Sequence, residues 1–68
     1  MHRFAPARLR ERRSSLGIPP ERLALDLERT AQTVSLWERG RVSPSAQQIA
    51  KLADLLQCEP GDFYEVQL

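Results

Sequence analysis

The side chains able to do chemistry in this sequence gather in residues 21–41, ERLALDLERTAQTVSLWERGR. Gln32, Thr33, Ser35 and Arg39 surround two apolar residues, Val34 and Trp37. That spacing puts the polar set on the outer face of a helix and the apolar pair on its inner face. Short amide and hydroxyl side chains near a helix start donate and accept hydrogen bonds, as contact with base edges requires, and the free amides of that start suit a phosphate. An ordinary solvated helix carries the same kind of face, so this stretch alone leaves both readings open. Catalysis finds little to work with. The single histidine is His2, close to the terminus, and no triad or glycine-rich phosphate loop is present. We therefore expect no enzyme. With Cys58 the only cysteine, no internal disulfide, metal site or cofactor is expected either.

Helices must hold those residues, and prolines mark where the helices start. Pro6, Pro19–Pro20, Pro44 and Pro60 each precede a segment with helical apolar spacing, and proline is favoured at the first helical position. A first helix is predicted over 7–16, with Leu9 and Leu16 on one face and Gly17 ending it. A second over 20–27 carries Leu23, Ala24 and Leu27 as a buried stripe. A third begins after the N-cap Thr30, turns Val34 and Trp37 inward and stops at Gly40. The fourth, over 44–57 with Ser43 as cap, has the strongest period: Ala46, Ile49, Leu52, Ala53, Leu56. A short fifth segment near 60–64 adds Phe63. No stretch alternates as a strand does, so the predicted fold class is all-α, with five helices in one compact domain.

Sixty-eight residues make one small domain, which buries only about 60% of its unfolded surface and must rely on an apolar core. No apolar run approaches the roughly 20 residues of a membrane span, and no signal peptide opens the chain. A cytoplasmic protein with no membrane partner is expected. The net charge of +1 hides an asymmetry. Residues 1–22 hold six arginines against Glu11 and Glu21, 23–41 balance, and 42–68 hold only Lys51 against Asp54, Glu59, Asp62 and Glu65. Nine of the ten basic residues are arginine, the side chain best suited to bidentate phosphate and guanine contacts. A solvated basic helix face explains the asymmetry equally well.

The second and third helices, joined by about three residues, have the spacing of two helices set at a steep angle by a short turn. A protruding helix about 10–12 Å across fits a major groove about 12 Å wide. From Leu9 to Phe63 the sequence resembles, without a gap, the Cro/repressor-type helix-turn-helix family of lambda-repressor-like domains. The resemblance takes in Leu9, Arg13, Leu16-Gly17-Ile18, Leu23-Ala24, Leu27, Thr30, Val34-Ser35, Trp37-Glu38-Arg39-Gly40, Pro44, Leu52-Ala53 and Leu56. Each piece is common; the ordered set is specific. It implies sequence-specific binding of double-stranded DNA by a transcription regulator, repressor-like, with the third helix in the major groove.

The resemblance also implies roles for particular residues. Arg13 and Glu38 fall where the family has a largely buried ion pair between the first helix and the end of the third. Ala31, Gln32, Ser35 and Leu36 are the positions that face bases, where Gln32 suits adenine and Ala31 or Leu36 a thymine methyl. Thr30, Thr33, Arg39 and Arg41 match positions at the phosphates. Three residues depart from the pattern. Pro20 replaces a frequent glutamine, Arg12 stands where an apolar residue is preferred, and Glu28 occupies a glycine position needing φ > 0, at a cost on the order of 1 kcal/mol.

Residues 1–6 are expected to be an N-terminal arm, 7–65 the helix-turn-helix domain and 66–68 a C-terminal tail. Phe4 either caps the core or lies in the arm; Trp37 and Cys58 are expected to pack as hydrophobes. A homodimer is implied at least on DNA, with Phe63, Tyr64, Val66 and Leu68 as its surface. A monomer that pairs only on DNA, or a piece of a longer regulator, fits the sequence as well. The alternative function is a protein-interaction module of the same fold, such as an antitoxin or docking domain.

Overall fold

The computed structural model describes residues 2–66. Strand β1 (His2–Phe4) leads into helix α1 (Pro6–Ser15), followed by α2 (Pro20–Asp26), α3 (Ala31–Glu38) and α4 (Ala46–Leu55). A single 3-10 turn (Pro60–Phe63) then precedes strand β2 (Tyr64–Val66). Two expectations are corrected here. Four α-helices stand where five were expected, because the segment after Pro60 is one tight turn closed by Asp62 N–H to the Glu59 carbonyl at 2.9 Å. The fold is also not purely helical: β1 and β2 pair antiparallel, with His2 opposite Val66, Arg3 opposite Glu65 and Phe4 opposite Tyr64. Three residues are too few to display a period of two, so only the proximity of the chain ends creates these strands. The segment expected as a free arm is thereby paired at residues 2–4, and Phe4 packs on the core. Of the expected tail, Val66 lies in β2, while positions 67 and 68 fall outside the described residues.

The core is an apolar cluster fed by every helix. α2 supplies Leu23 and Ala24, with Leu27 just beyond; α3 supplies Val34 and Trp37; α4 supplies Ile49, Leu52 and Ala53, with Leu56 after it; Phe63 closes the base. Cys58 is half-buried and packs against the cluster. Two predicted core positions are not buried. Leu16 is 39% exposed because α1 ends at Ser15, and Ala46 is exposed as the first residue of α4. The cap of α4 is Ser45 rather than Ser43. Ser45 Oγ accepts from Gln48 N–H at 3.2 Å and Gln48 Oε1 accepts from Ser45 N–H at 2.8 Å, a reciprocal box that Ser43 has no partner to make. Pro44 is consequently a buried residue of the preceding loop.

α1 is held differently from the others. Its residues after Leu9 are Arg-Glu-Arg-Arg-Ser-Ser, and Leu9 is its one buried side chain. Arginines do the anchoring instead. Arg8 donates to the Tyr64 carbonyl at 2.6 Å, Arg12 to the carbonyls of Leu56 and Gln57 at 2.8 Å each, and Arg13 to Glu38 and to the Ile18 carbonyl. Arg12, out of place by the family pattern, satisfies carbonyls that the end of α4 leaves without helical partners. Its charge also complements the negative end of that helix dipole.

All four helices among the described residues close in one way. The residue after each C-cap takes a positive φ: Gly17 (68°), Glu28 (57°), Gly40 (73°) and Gln57 (57°). The next N–H then reaches back five residues, from Ile18 to Arg13, Arg29 to Ala24, Arg41 to Leu36 and Cys58 to Ala53, at 2.9–3.2 Å. Gly40 meets a second demand. A Cβ there would come within 3.2 Å of Pro6 Cγ, so glycine also lets the end of α3 approach the start of α1.

Candidate nucleic-acid interface

The turn between α2 and α3 sets the angle at which α3 is presented. Leu27 caps α2 and stays buried, Glu28 bends the chain through φ 57°, and Thr30 in extended conformation starts α3. Thr30 Oγ1 accepts from Thr33 N–H at 3.2 Å and lies 3.2 Å from Thr33 Oγ1, so the two threonines fix each other at the first turn. The eight residues of α3 span about 12 Å, comparable to the width of a major groove. Val34 and Trp37 point into the core and Glu38 is held by Arg13, which leaves 31–33, 35 and 36 on the other side. Gln32 is exposed; Ala31, Thr33, Ser35 and Leu36 are half-buried. Thr30, Arg39 and Arg41 are exposed at the two ends of the helix.

Glu38, the last residue of α3, is fixed from behind. Arg13 Nε lies 2.6 Å from its Oε2 and Nη2 donates to its Oε1 at 3.0 Å. The two side chains are only 13% and 9% exposed, and Arg13 Nη1 also donates to the Ile18 carbonyl at 2.8 Å. The hydrogen bond to Glu38 holds the Arg13 pKa above its ordinary value; burial works against this, and the nearby charges of Glu38 and Glu21 work with it. The fork therefore ties α1, the loop before α2 and the end of α3 into one unit.

Charge is distributed less simply than the sequence suggests. The basic N-terminal half is largely spent on the protein itself: Arg3 lies 3.7 Å from Glu65, Arg22 lies 3.5 Å from Asp26, and Arg8, Arg12 and Arg13 anchor α1. Among the described residues, the arginines with no protein partner are Arg10, Arg29, Arg39 and Arg41. Arg29 precedes α3 and Arg39 and Arg41 follow it, while Arg10 lines the same surface hollow as Arg39, together with Ser14 and the acidic Glu11 and Glu38. Sequence reading singled out Arg39 and Arg41 and missed Arg10 and Arg29. The available signal was weak: neither has an acidic residue four positions away, whereas Arg22 has Asp26. Among the described residues, no three His, Cys, Asp or Glu side chains converge into a group that could hold a metal ion. No described helix is long and apolar enough to cross a membrane.

Known structures with this architecture place the chain. It is similar to the P22 c2 repressor, solved in complex with a synthetic operator, with a TM-score of 0.79 at 29% identity, covering 87% of this chain and 89% of that one. It is similar to the restriction-modification controller protein C.AhdI from Aeromonas hydrophila, with a TM-score of 0.78 at 36% identity, covering 85% of this chain and 84% of that one. Part of hydroxypropylphosphonic acid epoxidase from S. wedmorenis also matches, with a TM-score of 0.81 at 26% identity. That match covers 88% of this chain but 32% of the epoxidase chain. No curated protein matches in sequence. The sequence model of the helix-turn-helix domain family matches residues 7–63. The chain belongs to the helix-turn-helix domain family.

Proposed function

We propose that this chain binds double-stranded DNA sequence-specifically as a transcription regulator of the repressor or controller kind, with α3 in the major groove. The observation that carries the reading is the position of the unpartnered arginines. Arginines elsewhere are committed to acids or carbonyls, whereas Arg29, Arg39 and Arg41 bracket α3 and Arg10 shares a hollow with Arg39. In this reading Ala31, Gln32, Ser35 and Leu36 face bases. Thr30, Thr33, Arg39 and Arg41 contact phosphates, and Arg10 and Arg29 join them. Arg13 and Glu38 hold α3 without touching DNA. The repressor and controller similarities, each covering most of both chains, support this reading over an enzymatic one, since the epoxidase shares the fold over less than a third of its length.

Two copies on paired half-sites one helical turn apart complete the proposal. Of the four residues expected to form a self-association surface, at least one is withdrawn into the core. Phe63 is 1% exposed and belongs to the core, Val66 is 59% exposed, and Leu68 lies outside the described residues.

The test is duplex affinity against salt. Phosphate contacts release counterions, and about four per copy give a log–log slope of about −3.6 for each bound copy. A flat salt response would favour the alternative, a protein-docking module. One feature fits that alternative: Leu25 stands 72% exposed on the outer face of α2.

A further inference from the structure

The reading helix carries no charge on its outward face before its C-cap, Arg39. Residues 31–37 of α3 are Ala-Gln-Thr-Val-Ser-Leu-Trp, and the first ionised side chain, Glu38, is held by Arg13. The outward set is therefore one amide (Gln32), two hydroxyls, of which Thr33 is engaged with the Thr30 cap, and two apolar groups, Ala31 and Leu36. Leu36 is half-buried and yet is not among the apolar side chains that pack against the core. It stands four residues after Gln32, on the same face and about 6 Å further along the helix axis.

That inventory discriminates between base pairs. In the major groove guanine is read by the paired donors of arginine or lysine, and cytosine by a carboxylate that accepts from its amino group. Neither side-chain type occurs between Ala31 and Leu36. Adenine is matched by the donor–acceptor pair of a glutamine amide, and thymine offers a 5-methyl group for apolar contact. The unpartnered arginines do not fill the gap. Arg29 precedes the Thr30 cap, Arg39 is the C-cap and Arg41 lies past it, so all three stand at the ends of the face and leave the stretch from Gln32 to Leu36 to the amide, the hydroxyls and the apolar groups.

We propose that α3 selects A·T pairs, with Gln32 hydrogen-bonded to an adenine and Leu36 packed on the 5-methyl group of a thymine within two base-pair steps of it. The inference rests on the major-groove reading above and adds the class of site that groove must present.

The experiment begins by selecting bound duplexes from a random pool with the unaltered chain. Each thymine of the selected site is then replaced singly by deoxyuridine, which removes the methyl group and preserves pairing. Affinity is expected to fall about fourfold at one thymine per half-site, the worth of one buried methyl. Leu36→Ala is expected to weaken the thymine duplex to a similar extent and to abolish the deoxyuridine effect at that position alone. A selected core of G·C pairs, or a site indifferent to every deoxyuridine replacement, overturns this inference while steep salt dependence leaves DNA binding standing. Failure to enrich any duplex, with a flat salt response, overturns the DNA-binding reading itself. The replacement scan needs no variant protein, so it decides the matter even if Leu36→Ala does not fold.

Discussion

Arg13 grips Glu38 through both arms of its guanidinium, at 2.6 and 3.0 Å, across a separation of 25 residues. Both side chains are nearly out of solvent, so removing either one strands the other. Arg13→Met or Glu38→Leu is expected to cost about 3–5 kcal/mol. The double variant should recover part of that loss, with a coupling energy above about 1 kcal/mol in a urea-unfolding cycle. Strict additivity would show that the pair does not act as a unit.

Arg12 and Arg10 sit two residues apart on α1, and the structure gives them opposite work. Arg12→Met leaves the Leu56 and Gln57 carbonyls without their donor and is expected to cost about 1–3 kcal/mol of stability. Arg10→Ala should leave the unfolding free energy within about 0.5 kcal/mol of the parent. Its effect belongs to DNA binding, where the log–log salt slope should drop by about one unit. Equal stability losses in the two variants would refute this division.

Glu28 and Gln57 both hold positive φ at helix ends where glycine carries no strain. Glu28→Gly and Gln57→Gly are each expected to leave stability unchanged or to raise it by up to about 1 kcal/mol, read from thermal or urea unfolding. A clear loss at Glu28 would mean that its side chain contributes more than the turn geometry costs.

Gln32 and Arg41 separate reading from holding. Gln32→Ala is expected to cost about 1–3 kcal/mol on the preferred site and to relax preference at one base position. Arg41→Ala should weaken all sequences alike. Both variants are first checked to melt near the parent temperature. Specificity left intact by Gln32→Ala would remove α3 as the reading element.

Cys58 should be a sluggish thiol. Burial raises its pKa, and the Asp62 charge raises it further against the opposing effect of Arg12, so the thiolate is scarcer than in a free cysteine at the same pH. Alkylation by iodoacetamide at pH 8 is expected to run slower than with free cysteine and to reach the free rate on unfolding in urea. A native rate equal to the free rate would sink this.

Helix positions and most of the core were legible in the sequence because local signals specify them. The prolines, the Thr30 cap and the apolar period of residues 46–56 each act within one turn, and the helices follow them to within a residue or two. Glu28 was legible as a strained turn only through the family resemblance, which puts glycine at its position. The strands were not, since His2–Phe4 and Tyr64–Val66 carry no pattern and exist only because the fold brings them together. The fate of the arginines was hidden too. Arg8 and Arg12 donate to backbone carbonyls 56 and 45 or 44 residues away, and a carbonyl leaves no trace in a sequence. Arg10 and Arg29 therefore could not be distinguished from their committed neighbours until those partners were known.

The pairing of His2 with Val66 makes the fold nearly a ring. The two positions face each other across a ladder about 5 Å wide, while the chain between them runs through every helix. A few linking residues could join them without disturbing any contact of the core. The exposed Val42–Ser43 segment between α3 and α4 could then serve as the new pair of ends. Such a circularly permuted chain would keep the same helices, the same Arg13 fork and the same outward face, with its order of synthesis changed and its architecture retained.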